Sequence, residues 1–114
     1  MQNSLSVIEL HATLVVTKMI THVVLVKLKD NTAQNVDSTR KLLQSMEGKI
    51  SGLRHLEIGT NLRGSDWAYD ISLIAKFDSL KDLEAYDEHP VHVPVSNRLQ
   101  EMASSIVVVD YQSK

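Results

Sequence analysis

The run AYDEHPVHVPV, Ala85 to Val95, holds Tyr86, two of the five histidines of the chain and both of its prolines. Such a cluster admits three kinds of chemistry. An imidazole with its ordinary pKa of about 6.5 takes or gives a proton at neutral pH, and a tyrosine hydroxyl beside it can donate to a developing oxyanion. Two histidines can ligate a metal ion. Or Pro90 simply ends a helix, because the residue before a proline disfavours helical backbone, and the side chains pack the resulting corner. For a metal, His89 and His92 stand at i,i+3, but Pro90 interrupts the helix that would align them, and no third histidine or carboxylate lies at convincing ligand spacing. Neither a metal nor a cofactor is expected, and His89 is expected to cap the corner or face solvent.

These side chains need elements to hold them. Residues 20–29, ITHVVLVKLK, are rich in β-branched types and predict a strand. Period two puts Ile20, His22, Val24, Val26 and Leu28 on one face, and Thr21, Val23, Leu25, Lys27 and Lys29 on the other. His22 is the one polar residue on its face, so it is expected to point inward and to need a partner. Thr32 is a candidate cap for a helix carrying Val36, Leu43, Met46 and Ile50, closed by Gly48 or Gly52. Strands are predicted over 53–62 and 68–77, the second with Tyr69, Ile71, Leu73, Ala75 and Phe77 on one face. Ser79 should cap a short helix with Leu80, Leu83 and Tyr86. Val95, Leu99 and Met102 mark another helix, and IVVVDY, 106–111, a buried closing strand.

The order is β-α-β-β-α-β with the second helix broken at His89–Pro90, which is the α+β, ferredoxin-like arrangement. Helices cover one face of its sheet. The other face would carry Val23 and Leu25 uncovered, and a bare apolar face calls for a partner. Pairing two such faces into a barrel-like homodimer satisfies it. In this fold the last strand runs antiparallel beside the first, so Asp110 approaches His22.

Composition bounds the rest. The chain has 114 residues, 43% hydrophobic and 23% charged, with a formal net charge of −2 and no cysteine. One globular domain fits that length. The lack of a basic stripe argues against nucleic acid, and the lack of cysteine removes disulfides, thiolate nucleophiles and Cys-based zinc sites. No apolar run approaches the length of a membrane span. The opening MQNSLSVIELHATLVVTK lacks a positive start and is interrupted by Glu9 and His11, a poor signal peptide, so a cytoplasmic location is expected. Residues 1–18 are read as an extension, with the domain proper over 19–114. His11 and His55 are expected at the surface or on strands, and Trp67 in a loop, packing or covering a pocket mouth or dimer seam.

With the elements laid out, ITHVVLVKLKD (20–30), YDEHPVHVPV (86–95) and VVVDY (107–111) resemble the opening strand, the Tyr-x-x-His-Pro-x-His motif and the closing strand of the stress-responsive dimeric A/B-barrel family. The resemblance runs from about Met19 to Tyr111 and implies the fold and homodimer above. It also brings in a branch of plant polyketide cyclases of the olivetolic acid cyclase type, which close linear polyketides by aldol chemistry without metal or cofactor. By that resemblance the catalytic positions are His22, Tyr86, His92 and Asp110. The first helix departs from that branch, with Leu42 and Leu43 near where it uses aromatic residues.

A neutral histidine suits removal of a proton alpha to a carbonyl. A tyrosine hydroxyl or second histidine could hold the enolate oxygen, and Asp110 could fix a histidine tautomer. A structural reading stands beside this one: a buried His and Asp satisfy each other, and Tyr86 packs on the core. Three functions remain open. The first is a stress-associated homodimer of unassigned biochemistry that binds a small apolar ligand or only itself. The second is a cofactor-independent cyclase or lyase acting on a ketone-bearing substrate. The third is a cofactor-free monooxygenase. A cavity joining His22, Tyr86 and His92 discriminates between them.

Overall fold

The computed structural model describes residues 18–113. The expectations for residues 1–17, including the placement of His11, lie outside them. The described chain forms β1 (Met19–Leu28), α1 (Ala33–Gln44), β2 (Leu53–Thr60), β3 (Ile71–Phe77), α2 (Leu80–Asp87), α3 (His92–Met102) and β4 (Ala103–Ser113). The strands make one antiparallel sheet in the order β2-β3-β1-β4. This is the ferredoxin-like α+β fold. Among the described residues no helix is long and apolar enough to cross a membrane.

Local chemistry explains the boundaries. Thr32 caps α1 by accepting from the Asn35 N–H, and Ser79 caps α2 by accepting from the Asp82 N–H at 3.1 Å. Helix α3 has no side-chain cap; Pro94 lies in its first turn, where a missing N–H costs nothing. Helix α1 stops earlier than the spacing of its apolar residues predicts. Met46 and Ile50 are buried, but from tight turns beyond the helix, where Gly48 (φ 77°) and Gly52 (φ 91°) take left-handed backbone that other residues resist. Strand β3 begins at Ile71, so Tyr69 precedes it and shares a 2.8 Å hydrogen bond with the Ser105 hydroxyl.

The alternation read from β1 places the core. Val24, Val26 and Leu28 face the helices and are buried with Ile71, Leu73, Ala75 and Phe77 of β3. Leu43, Leu83, Tyr86, Val95 and Leu99 close over them from the helices.

One expectation fails for the single chain. Strand β4 is not buried, because it is a sheet edge: Val107, Val108, Val109 and Tyr111 are about half exposed. Across the helix-free face, register aligns Ile74, Val23 and Val109 in one row and Ser72, Leu25 and Val107 in the next. Among the described residues Trp67 packs on nothing: it is 93% exposed, in a loop away from the cavity described below.

Candidate active site

His22 reaches the helix side of the sheet because it occupies an inward position of β1. Antiparallel register sets it directly opposite Asp110 of β4. Its Nδ1 lies 2.5 Å from Asp110 Oδ1, with the imidazole 11% exposed and the carboxylate 42% exposed. A carboxylate only accepts, so Nδ1 carries a proton, and in the neutral ring the lone pair is on Nε2. The pairing removes the cost of a buried, unpartnered imidazole.

Tyr86 comes from the last turn of α2, and His92 opens α3 across the corner containing Pro90. The Tyr86 ring meets His22 edge-on at 5.8 Å and lies against His92 at 4.2 Å, with Phe77 behind it at 5.1 Å. Its hydroxyl donates to the Met46 sulfur at 4.0 Å, a weak acceptor. Burial, and secondarily the charge of Asp87, push the Tyr86 hydroxyl far above its usual range, so it stays a proton donor. Burial holds His92 below its ordinary pKa, which favours the neutral ring at neutral pH. His92 Nδ1 lies 3.1 Å from the Asp87 carbonyl, which only accepts, so this ring also keeps its free lone pair at Nε2.

His22, Tyr86 and His92 line one cavity of about 360 Å³, within the range of small-molecule sites. Val24, Val26, Leu43, Leu73, Val95 and Leu99 supply much of its apolar surface. Asp110 is not part of that wall. It stands behind His22, so any effect on a ligand passes through the ring. His89 is turned away, its Nδ1 accepting from the Val91 N–H at 3.0 Å, which is the corner cap expected for it. His55 lies exposed on β2, 3.8 Å from Glu57. Among the described residues no group of three His, Cys, Asp or Glu is arranged to hold a metal.

Three polar wall residues escaped the sequence reading: Asp87, Ser96 and Gln100. The last two follow His92 at i+4 and i+8, so one face of α3 carries a polar row into the cavity. That periodicity was available in the sequence, but polar residues on an amphipathic helix ordinarily mark its wet side.

Similar proteins fit this architecture. A dimeric protein of unknown function with a ferredoxin-like fold from Bacteroides fragilis is 32% identical, over 82% of this chain and 95% of that one, with a TM-score of 0.72. A dimeric ferredoxin-like protein of unknown function from Thermobifida fusca is 24% identical, over 82% and 90%, with a TM-score of 0.73. A hydroxynitrile lyase from Passiflora edulis shares the fold at 16% identity, over 86% and 95%, with a TM-score of 0.74. No curated protein matches the chain. The family model described as the stress responsive A/B barrel domain matches residues 20–113, and the chain belongs to that family.

Proposed function

We propose that the chain works as a homodimer joined through its helix-free sheet face, and that its cavity binds a small, largely apolar carbonyl compound and moves a proton at the carbon beside the carbonyl. This is cofactor-independent lyase or cyclase chemistry of the aldol type. The observation that carries it is the convergence of two histidines and a tyrosine on one apolar-walled cavity, each histidine with Nδ1 engaged and Nε2 without a hydrogen bond among the described residues. In this reading His92 or His22 is the base. Tyr86, a weak bond to sulfur away from being free, donates to the carbonyl oxygen as charge develops there. Asp110 is a positioning residue that holds the His22 tautomer. The resemblance to plant polyketide cyclases points the same way. The Passiflora lyase, at its low identity, supports the fold alone.

A second reading, binding without turnover, is favoured by the packing of Tyr86: the residue is 2% exposed and its ring is wedged between Phe77 and His92. The two readings separate in an exchange experiment. A ketone probe such as methyl octyl ketone, incubated with the protein in deuterated buffer, should gain deuterium beside its carbonyl, followed by NMR. His92→Ala and His22→Ala should each slow exchange by about a hundredfold, within the usual range for a lost general base, while the melting transition persists. Asp110→Asn should slow it less. Wild-type protein that binds the ketone without exchange would leave the binding role alone.

A further inference from the structure

His92, Ser96 and Gln100 form one polar row along α3, and all three line the cavity between the buried Val95 and Leu99. Gln100 Nε2 donates to Ser96 Oγ at 3.2 Å. That bond uses one Gln100 donor and one Ser96 acceptor. It leaves the Ser96 O–H as a donor and the Gln100 carbonyl Oε1 as an acceptor, neither engaged among the described residues. At 1.5 Å per residue along the helix, these groups lie about 6 Å and 12 Å beyond His92. Among the described residues the single charged side chain in the cavity wall is Asp87, a carboxylate, which repels anions.

We infer that the site selects an uncharged, elongated, mostly apolar carbonyl compound that bears a hydroxyl remote from the reacting carbonyl, and that Ser96 and Gln100 read that hydroxyl. The inference rests on the reading that a carbonyl sits beside His22, Tyr86 and His92. A hydroxyl both accepts and donates, which matches the Ser96 O–H and the Gln100 Oε1 together. A carboxylate meets the charge of Asp87 and the carbonyl of Gln100. A plain alkyl end leaves the half-buried Ser96 hydroxyl facing apolar surface, and an unpaired partner is what discriminates against an analogue lacking the group. Gln100 is exposed, so the hydroxyl end lies toward the cavity mouth and the selectivity is moderate.

Calorimetric titration with methyl octyl ketone and with its ω-hydroxy derivative tests this. Wild-type protein should bind the hydroxy ketone about tenfold more tightly, the scale of one good hydrogen bond. Gln100→Leu should erase or invert the preference, and Ser96→Ala should reduce it, with melting transitions unchanged. Equal affinity in the wild type, a preference that survives both substitutions, or no binding of either ketone would overturn the inference. The deuterium-exchange reading fails separately: preference without exchange removes the catalytic role and keeps the selectivity, while exchange without preference removes only the selectivity.

Discussion

On the helix-covered face of the sheet Val26, Ala75 and Phe77 are sealed from water, at 0% exposure; on the opposite face Leu25, Val107 and Val109, equally apolar, remain 38%, 45% and 55% exposed. Strand β1 supplies both sets, Val26 and Leu25 standing one residue apart, so strand composition does not cause the difference. Helices cover one face, and among the described residues nothing covers the other. Burial follows from what lies above a strand, and at roughly 25 cal/mol per Å² the bare rows of Val23, Leu25, Val107 and Val109 hold stabilisation that the isolated chain leaves unused. A second copy of the same face is the economical cover, in keeping with the dimeric descriptions of its structural neighbours.

The comparison can be broken most forcefully on the covered side. Phe77→Ala should cost about 3–5 kcal/mol, because it empties a sealed position against Tyr86. Urea denaturation should register the loss even in a dimer. On the bare side, Val23→Asp should leave the chain folded but give monomer or aggregate in place of the proposed dimer, because an unpaired charge buried in the seam costs far more than a neutral polar group. Light scattering checks this, and a wild-type chain that stays monomeric at micromolar concentration would remove the second-copy argument altogether.

Acid should act on the covered side through His92. Burial lowers its folded pKa below the unfolded value of about 6.5, so its contribution to stability is fully present above that value. As the pH falls below about 6.5 the unfolded chain takes up a proton that the folded chain refuses, and stability declines toward the lower, folded pKa. Melting temperature followed downward from neutral pH should show this decline, and His92→Gln should flatten part of it. The smallest expected effect is at the chain start. Every described element lies after Lys18, so a chain beginning at Met19 should keep its melting transition and its oligomeric state in light scattering. Loss of either would show that residues 1–18 contribute to one of the two faces.

How much of this was legible follows the same division. The alternation of β1 gave the two faces, and His22, the polar exception, gave the inward imidazole. The His89–Pro90 break gave the corner between α2 and α3. The early end of α1 was hidden because Met46 and Ile50 keep helical spacing while the chain between them turns through Gly48. The exposure of β4 was hidden because an apolar run states that burial is needed, not which molecule provides it. Ser96 and Gln100 were passed over because a polar residue reads alike whether it borders solvent or a cavity mouth.

The pairing of His22 with Asp110 has a kinetic consequence. The two residues are 88 positions apart in the chain, and β1, in the middle of the sheet, cannot gain this neighbour until β4 has been made. Closing so long a loop is an entropic cost met late, and folds dominated by such pairings are slow to form. During synthesis β1, α1, β2 and β3 can collapse first, with the imidazole of His22 held in an incomplete sheet. The cavity acquires its fixed histidine tautomer only when the last described strand docks. A nascent chain stalled before β4 would therefore have most of a core and no partner for His22.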